Sequence, residues 1–167
     1  MKTSTTSFCL LILLIANPAD GFDVKDASAQ FISELNTADS IYSCFSQDEI
    51  FNYGSKSYID SLFKNALLKN PQLYAAIKVN QYGEVVSDIN RDSSVNSNKN
   101  VMNKNWFQIP FFKAVDFNAG IVSANSRLCF LKTYPLFENS ENSETSGVLA
   151  ILIDISYCLN KLKEHCS

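Results

Sequence analysis

Arg127-Leu-Cys-Phe-Leu-Lys-Thr-Tyr-Pro135 and Gly147-Val-Leu-Ala-Ile-Leu-Ile-Asp-Ile-Ser156 decide the fold. Each is an apolar run of strand length, and a polar stretch from Glu138 to Ser146 carrying three glutamates separates them. Two such runs joined locally read as neighbouring antiparallel strands with a charged hairpin loop between them. The second run ends in a single acid, Asp154, which leaves one carboxylate at the rim of the sheet.

Upstream, Leu73–Val79 reads as a strand, and Asn80-Gln-Tyr-Gly83 as a turn in which Gly83 supplies the positive φ of a tight reversal. Glu84–Asp88 returns as its hairpin partner, and Ala119–Ser123 makes a further strand. From Ile89 to Asn105 the chain is rich in Asn and Ser without periodicity, the composition of a long binding loop or a surface excursion. Trp106–Val115 follows as a short helix dense in aromatics.

Two helices precede the strands. Phe31, Leu35, Ala38, Tyr42 and Phe45 recur at steps of four and three, one apolar stripe on a helix from about Val24 to Phe45. Lys56–Lys69 is the second, with Tyr58, Leu62, Phe63, Ala66 and Leu67 inward, and it stops at Asn70-Pro71 because proline disfavours helical geometry before it. Tyr157–Glu164 closes the chain as a helix with Leu159 and Leu162 inward. The expected fold is α+β: a five-stranded antiparallel sheet with a long N-terminal helix and a short C-terminal helix.

Lys2, the apolar run Phe8–Ala16 and the small residue Ala19 form the pattern of a secretory signal peptide, residues 1–19. Residues 20–167 then make one domain, expected in a periplasm or secreted, with no later segment fit to insert in a membrane. Without Lys2, 13 basic residues face 17 acidic ones, and the basic residues are scattered, so nucleic acid is a poor partner. Cys44, Cys129, Cys158 and Cys166 remain after cleavage, an even count that favours at least one disulfide, although Cys129 also reads as a buried thiol.

Catalysis has little support. His165 is the lone histidine and lies at the tail, and no nucleophile-elbow, zinc-protease or Cys-x-x-Cys pattern accompanies it. No cofactor and no metal site is expected, and the chain reads as a non-enzyme.

Leu73–Val79 with Tyr82-Gly83-Glu84-Val85-Val86, Lys104-Asn-Trp-Phe107, Thr133-Tyr-Pro-Leu136 and Gly147–Ser156, in that order and spacing, resemble the Cache family of PAS-like extracytoplasmic sensor domains in its single form. The resemblance implies a pocket between the sheet and the short helix. Amino-acid-binding members carry an arginine two places before a tryptophan, a tyrosine after it, and an aspartate on the last strand. Lys104, Trp106, Phe107 and Asp154 occupy those positions here. Lysine keeps the cation and loses the planar fork. Phenylalanine keeps the ring and loses the hydroxyl.

Read without the family, Trp106, Phe107, Phe111, Phe112 and Phe117 are either core or the apolar wall of a small-molecule pocket. Asp154 either pairs with a ligand ammonium or caps the final helix, a role for which Ser156 competes. Arg127, Asp116 and Tyr134 are further candidates, each with a surface or strand-end alternative. The candidate ligand-binding set is Lys104, Trp106, Phe107, Phe112, Arg127, Tyr134 and Asp154. The expected ligand is a small polar metabolite, a carboxylate or amino acid, and the expected protein partner is a membrane receptor or a second copy. The alternative is a pocketless interaction module that docks through the Phe31–Phe45 stripe.

Overall fold

The computed structural model describes residues 24–48, 50–92, 100–139 and 142–165. The expected signal segment, the middle of the Asn-rich loop and Cys166 lie outside them. In chain order the elements are α1 (Val24–Ser46), α2 (Lys56–Lys69), β1 (Leu73–Asn80), β2 (Val85–Asn90), α3 (Asn105–Lys113), β3 (Phe117–Ala124), β4 (Arg127–Asn139), β5 (Asn142–Asp154) and α4 (Ile155–His165). The strands form one antiparallel sheet in the order β2-β1-β5-β4-β3.

The central strand β5 has apolar residues on both sides. Leu149, Ile151 and Ile153 join a core with Phe31, Ala38, Ile41 and Phe45 of α1, Ile59, Phe63 and Leu67 of α2, and Ile155, Cys158 and Leu162 of α4. Burying each large side chain contributes roughly 1.5–3 kcal/mol. The α1 stripe is therefore core, and Ile41 belongs to it, so the docking role considered for that stripe has no free surface to use. In α2 the inward face is rotated from the expected one: Ile59 is buried, whereas the Tyr58 hydroxyl reaches out to Asp48 at 2.7 Å.

On the opposite face, Val148, Ala150 and Leu152 of β5 meet Val79, Tyr74, Ala75, Cys129 and Leu131, and α3 lies across them. The described helices are thus divided three to one between the two faces.

The expected loop from Glu138 to Ser146 is mostly strand. β4 runs to Asn139 and β5 begins at Asn142, with Phe137 opposite Thr145 and Asn139 opposite Asn142. Backbone pairing is indifferent to the polarity of side chains that face solvent, which is why a polar composition concealed the hairpin arms. The α1–α2 connection reinforces this arm, because Asn52 Nδ2 donates to the Phe137 carbonyl and Tyr53 Oη to the Glu138 carbonyl, both at 2.5 Å. Pro135 sits two residues past Thr133, the last β4 residue paired with β3, so its missing N–H falls where β4 has lost that neighbour.

Cys44, Cys129 and Cys158 are free thiols. The expected bridge is absent among these three, because they belong to different layers: Cys158 lies in the helix-side core, Cys129 on the other face, and Cys44 is exposed. Burial pushes the Cys129 and Cys158 thiols up to about 12.

Candidate functional site

Polar groups gather at one end of the α3-side face. Arg127, the first residue of β4, donates from Nη1 to Asp154 Oδ2 at 2.9 Å and from Nη2 to Asp92 Oδ1 at 3.5 Å. Its guanidinium carbon stands 5.7 Å from the centre of the Tyr74 ring. Tyr74 Oη donates to Asp92 Oδ2 at 2.9 Å and accepts from Asn125 Nδ2 at 2.9 Å. Burial, then the bond to Asp92, raise the Tyr74 phenol above its ordinary value. The side chain of Asp154 is 6% exposed and that of Arg127 46%, so the cluster runs from the interior to solvent.

Local sequence explains each placement. Asp154 ends β5 opposite Cys129, and its Oδ1 accepts the Tyr157 N–H at 3.2 Å, so it is the N-cap of α4 while it holds Arg127. Ser156, the competing cap, is exposed. Asn125 and Ser126 both take positive φ, the geometry of a two-residue hairpin turn, and this brings Arg127 back beside β3. Asp92 is set by its neighbour. Arg91 donates Nε to the Leu73 carbonyl at 2.7 Å and Nη2 to the Leu67 and Asn70 carbonyls at 2.5 and 2.7 Å, tying the end of β2 to the last carbonyls of α2.

Trp106 is half-buried and packs on both the Tyr74–Cys129–Leu152 group and the Val79–Phe107–Val148 group. Phe107 is fully buried against Val79, Val101 and Val148 and stacks on Phe111 at 5.2 Å. Val148 is six residues along β5 from Asp154, about 20 Å at 3.4 Å per residue. Lys104 precedes α3; its side chain is exposed and makes no cap bond.

Of the residues expected together, Arg127 and Asp154 are in contact, and Trp106 packs on the apolar group beside them. Phe112 is 68% exposed, on the rim of the α3 aromatics. Tyr134 is not in the cluster. It lies on the helix side of the sheet, stacked on Tyr42 at 4.3 Å, with its hydroxyl donating to Asp39 Oδ1 at 2.9 Å. Strand alternation is the reason, since Cys129 and Leu131 face α3 and the even-numbered neighbours face α1. Asp116 is on that side too, where burial raises its carboxyl and Lys132 offsets part of the rise.

Sequence reasoning missed Tyr74, Asp92 and Asn125. Asn125 carried a signal, an Asn-Ser pair between two strands; Tyr74 and Asp92 meet only through the tertiary path of the Arg91 staple.

Among the described residues no group of three or more His, Cys, Asp or Glu could hold a metal ion. No described helix is long and apolar enough to cross a membrane.

No family model matches the chain. No curated protein matches it either. Solved structures do. The sensory domain of the Campylobacter jejuni chemoreceptor Tlp3 with isoleucine bound superimposes with a TM-score of 0.66 at 12% identity, over 83% of this chain and 59% of that one. The sensor domain of E. coli DcuS gives a TM-score of 0.59 at 14% identity, over 81% of this chain and 98% of that one. The extracellular domain of the putative histidine kinase vpHK1S-Z8 gives 0.65 at 12% identity, over 83% and 57%. The chain spans about three fifths of the length of the chemoreceptor domain and nearly all of the DcuS domain. With five antiparallel strands, a long N-terminal helix and α3 across the open face, the chain has the fold of a single Cache-like, PAS-like sensor domain.

Proposed function

We propose that this chain is an extracytoplasmic, non-enzymatic sensor domain that binds a small polar metabolite, a carboxylate or amino acid, on the α3 side of its sheet. The observation that carries the reading is Arg127, a half-exposed cation held between two carboxylates beside Trp106. A guanidinium presents several fixed donors, so it can grip a ligand carboxylate while Asp92 and Asp154 face an ammonium. Trp106 supplies the apolar wall. Lys104 and Phe112, both exposed, would close over a guest from α3, while Phe107, packed on Val148 about 20 Å along β5 from Asp154, anchors that helix to the sheet.

The fold supports this reading, because the neighbours that share it are sensor domains, and Tlp3 holds isoleucine or L-valine. Asp154 joins the site to α4, which offers a route by which occupancy reaches a membrane partner. Residues 1–19 serve, in this reading, as the export signal, and residues 20–167 as the sensor.

A thermal-shift screen against amino acids, organic acids and amines tests the proposal. A ligand at 100 times its dissociation constant stabilises by about 2.7 kcal/mol. The shift should disappear in Asp154→Ala and shrink in Lys104→Ala. A shift that survives both substitutions places the ligand elsewhere, and no shift from any class removes the sensing reading.

A further inference from the structure

Lys78 has no part in the cluster above. It projects from β1 to the helix side, where Nζ donates to the carbonyls of Phe51 and Asn52, the latter at 3.0 Å, and lies 4.8 Å from the centre of the Phe51 ring. The residue is 6% exposed, and among the described residues no carboxylate pairs with it. A buried ammonium without a counterion is costly. Two carbonyl acceptors satisfy the two N–H bonds of a neutral amine and leave its lone pair unused. Burial lowers its pKa to about 8.

The residue also borders open space. Lys78 lines a pocket of about 200 Å³ with Asn52, Tyr53, Tyr82, Glu138 and Ser146. In that lining, Asn52 Oδ1 is buried and has no hydrogen-bond partner among the described residues. Tyr53 and Tyr82 line the same pocket and are both mostly exposed. The volume suits a molecule of a few heavy atoms.

We propose that Lys78 is a nucleophilic lysine that condenses with a small, unhindered aldehyde admitted to this pocket. The nitrogen lone pair forms a bond to the carbonyl carbon while the C=O π pair moves to oxygen, which takes a proton. The resulting carbinolamine hydroxyl can donate to Asn52 Oδ1. Loss of that oxygen as water, with the remaining nitrogen proton released, leaves the imine; nothing is oxidised or reduced.

Reductive trapping on the intact chain tests this. The protein is incubated with acetaldehyde and cyanoborohydride at several values between about pH 6.5 and 9.5, and ethylation is mapped by peptide mass spectrometry. An ordinary lysine at pH 8 is neutral in about one molecule in 250, so Lys78 should be modified up to roughly 100-fold faster than Lys56 or Lys64, with its rate levelling off above pH 8. Lys78→Met should lose the fast-labelled peptide alone. Modification of Lys78 no faster than of those surface lysines, or only after urea has unfolded the chain, overturns the proposal. The wild-type map decides the matter even if the variant does not fold.

Discussion

Arg127 and Asp154 are joined at 2.9 Å through one carboxylate oxygen while the other oxygen caps α4 through Tyr157. One buried acid thus fixes both the mouth of the candidate site and the start of the last helix. The two roles separate by mutation. Arg127→Met leaves the carboxylate buried with only its cap bond, whereas Arg127→Met with Asp154→Asn removes that charge and keeps a capping oxygen. The double variant should therefore melt above the single one in differential scanning calorimetry. A double variant that melts lower would show that the pair contributes little to the fold.

Tyr134 is a structural residue on the helix side. Its hydroxyl shares Asp39 Oδ1 with Lys132, and burial followed by the bond to Asp39 raises its phenol far beyond the ordinary range. Tyr134→Phe should cost about 1–2 kcal/mol in urea denaturation. Ligand-induced stabilisation should be unchanged, because the ring stays stacked on Tyr42 and the site lies across the sheet.

Lys78 makes stability depend on pH in an identifiable window. Its folded pKa of about 8 lies below the ordinary 10.5, so between these values the unfolded chain binds more protons than the folded one. Stability from this group therefore rises as pH increases from 8 toward 10.5, by up to about 3 kcal/mol. Urea midpoints of the wild type should gain on those of Lys78→Met between pH 7.5 and 9.5. The comparison stops below pH 10, where the raised Tyr74 and Tyr134 phenols begin to act in the opposite direction. A constant difference between the two proteins would place Lys78 in water.

Two glycines should respond differently to alanine. A Cβ on Gly147 would press on the carbonyl oxygen of Val79, where β5 meets β1. Gly147→Ala must move one strand, at about 1–3 kcal/mol. Gly120 has φ +84° and open space around the missing Cβ, so Gly120→Ala carries only backbone strain of about 1 kcal/mol. A Gly147→Ala midpoint equal to that of the wild type would contradict the β1–β5 register.

Much of this fold was legible in the sequence because the apolar pattern is strong where the core is thick. Lys56–Lys69 forms the expected second helix with Ser55 as its cap, and Leu73–Val79 needed only Asn80 added. The hairpin arms at Glu138 and Ser146 were hidden because pairing there depends on backbone and not on apolar side chains. Sequence reading brought Arg127 and Asp154 into one candidate set, and the structure places these two in contact, because each stands at a strand end. Tyr134 lies across the sheet from Asp154 because strand parity decides which face a residue serves, and a motif read as a string does not record it. Asp92 and Tyr74 were invisible because their meeting depends on Arg91 binding the end of α2.

The two interior thiols have a consequence for the life of the molecule. With values near 12, Cys129 and Cys158 hold about one thiolate in 10⁵ at neutral pH, and the thiolate is the form that oxidants and disulfides attack. In an intact copy these two sulfurs are thus shielded from oxidants, in contrast to the exposed Cys44. A copy that opens exposes them to water, where a thiol regains its ordinary reactivity. The oxidation state of Cys129 and Cys158, read apart from Cys44, becomes a record of which copies have lost their shape.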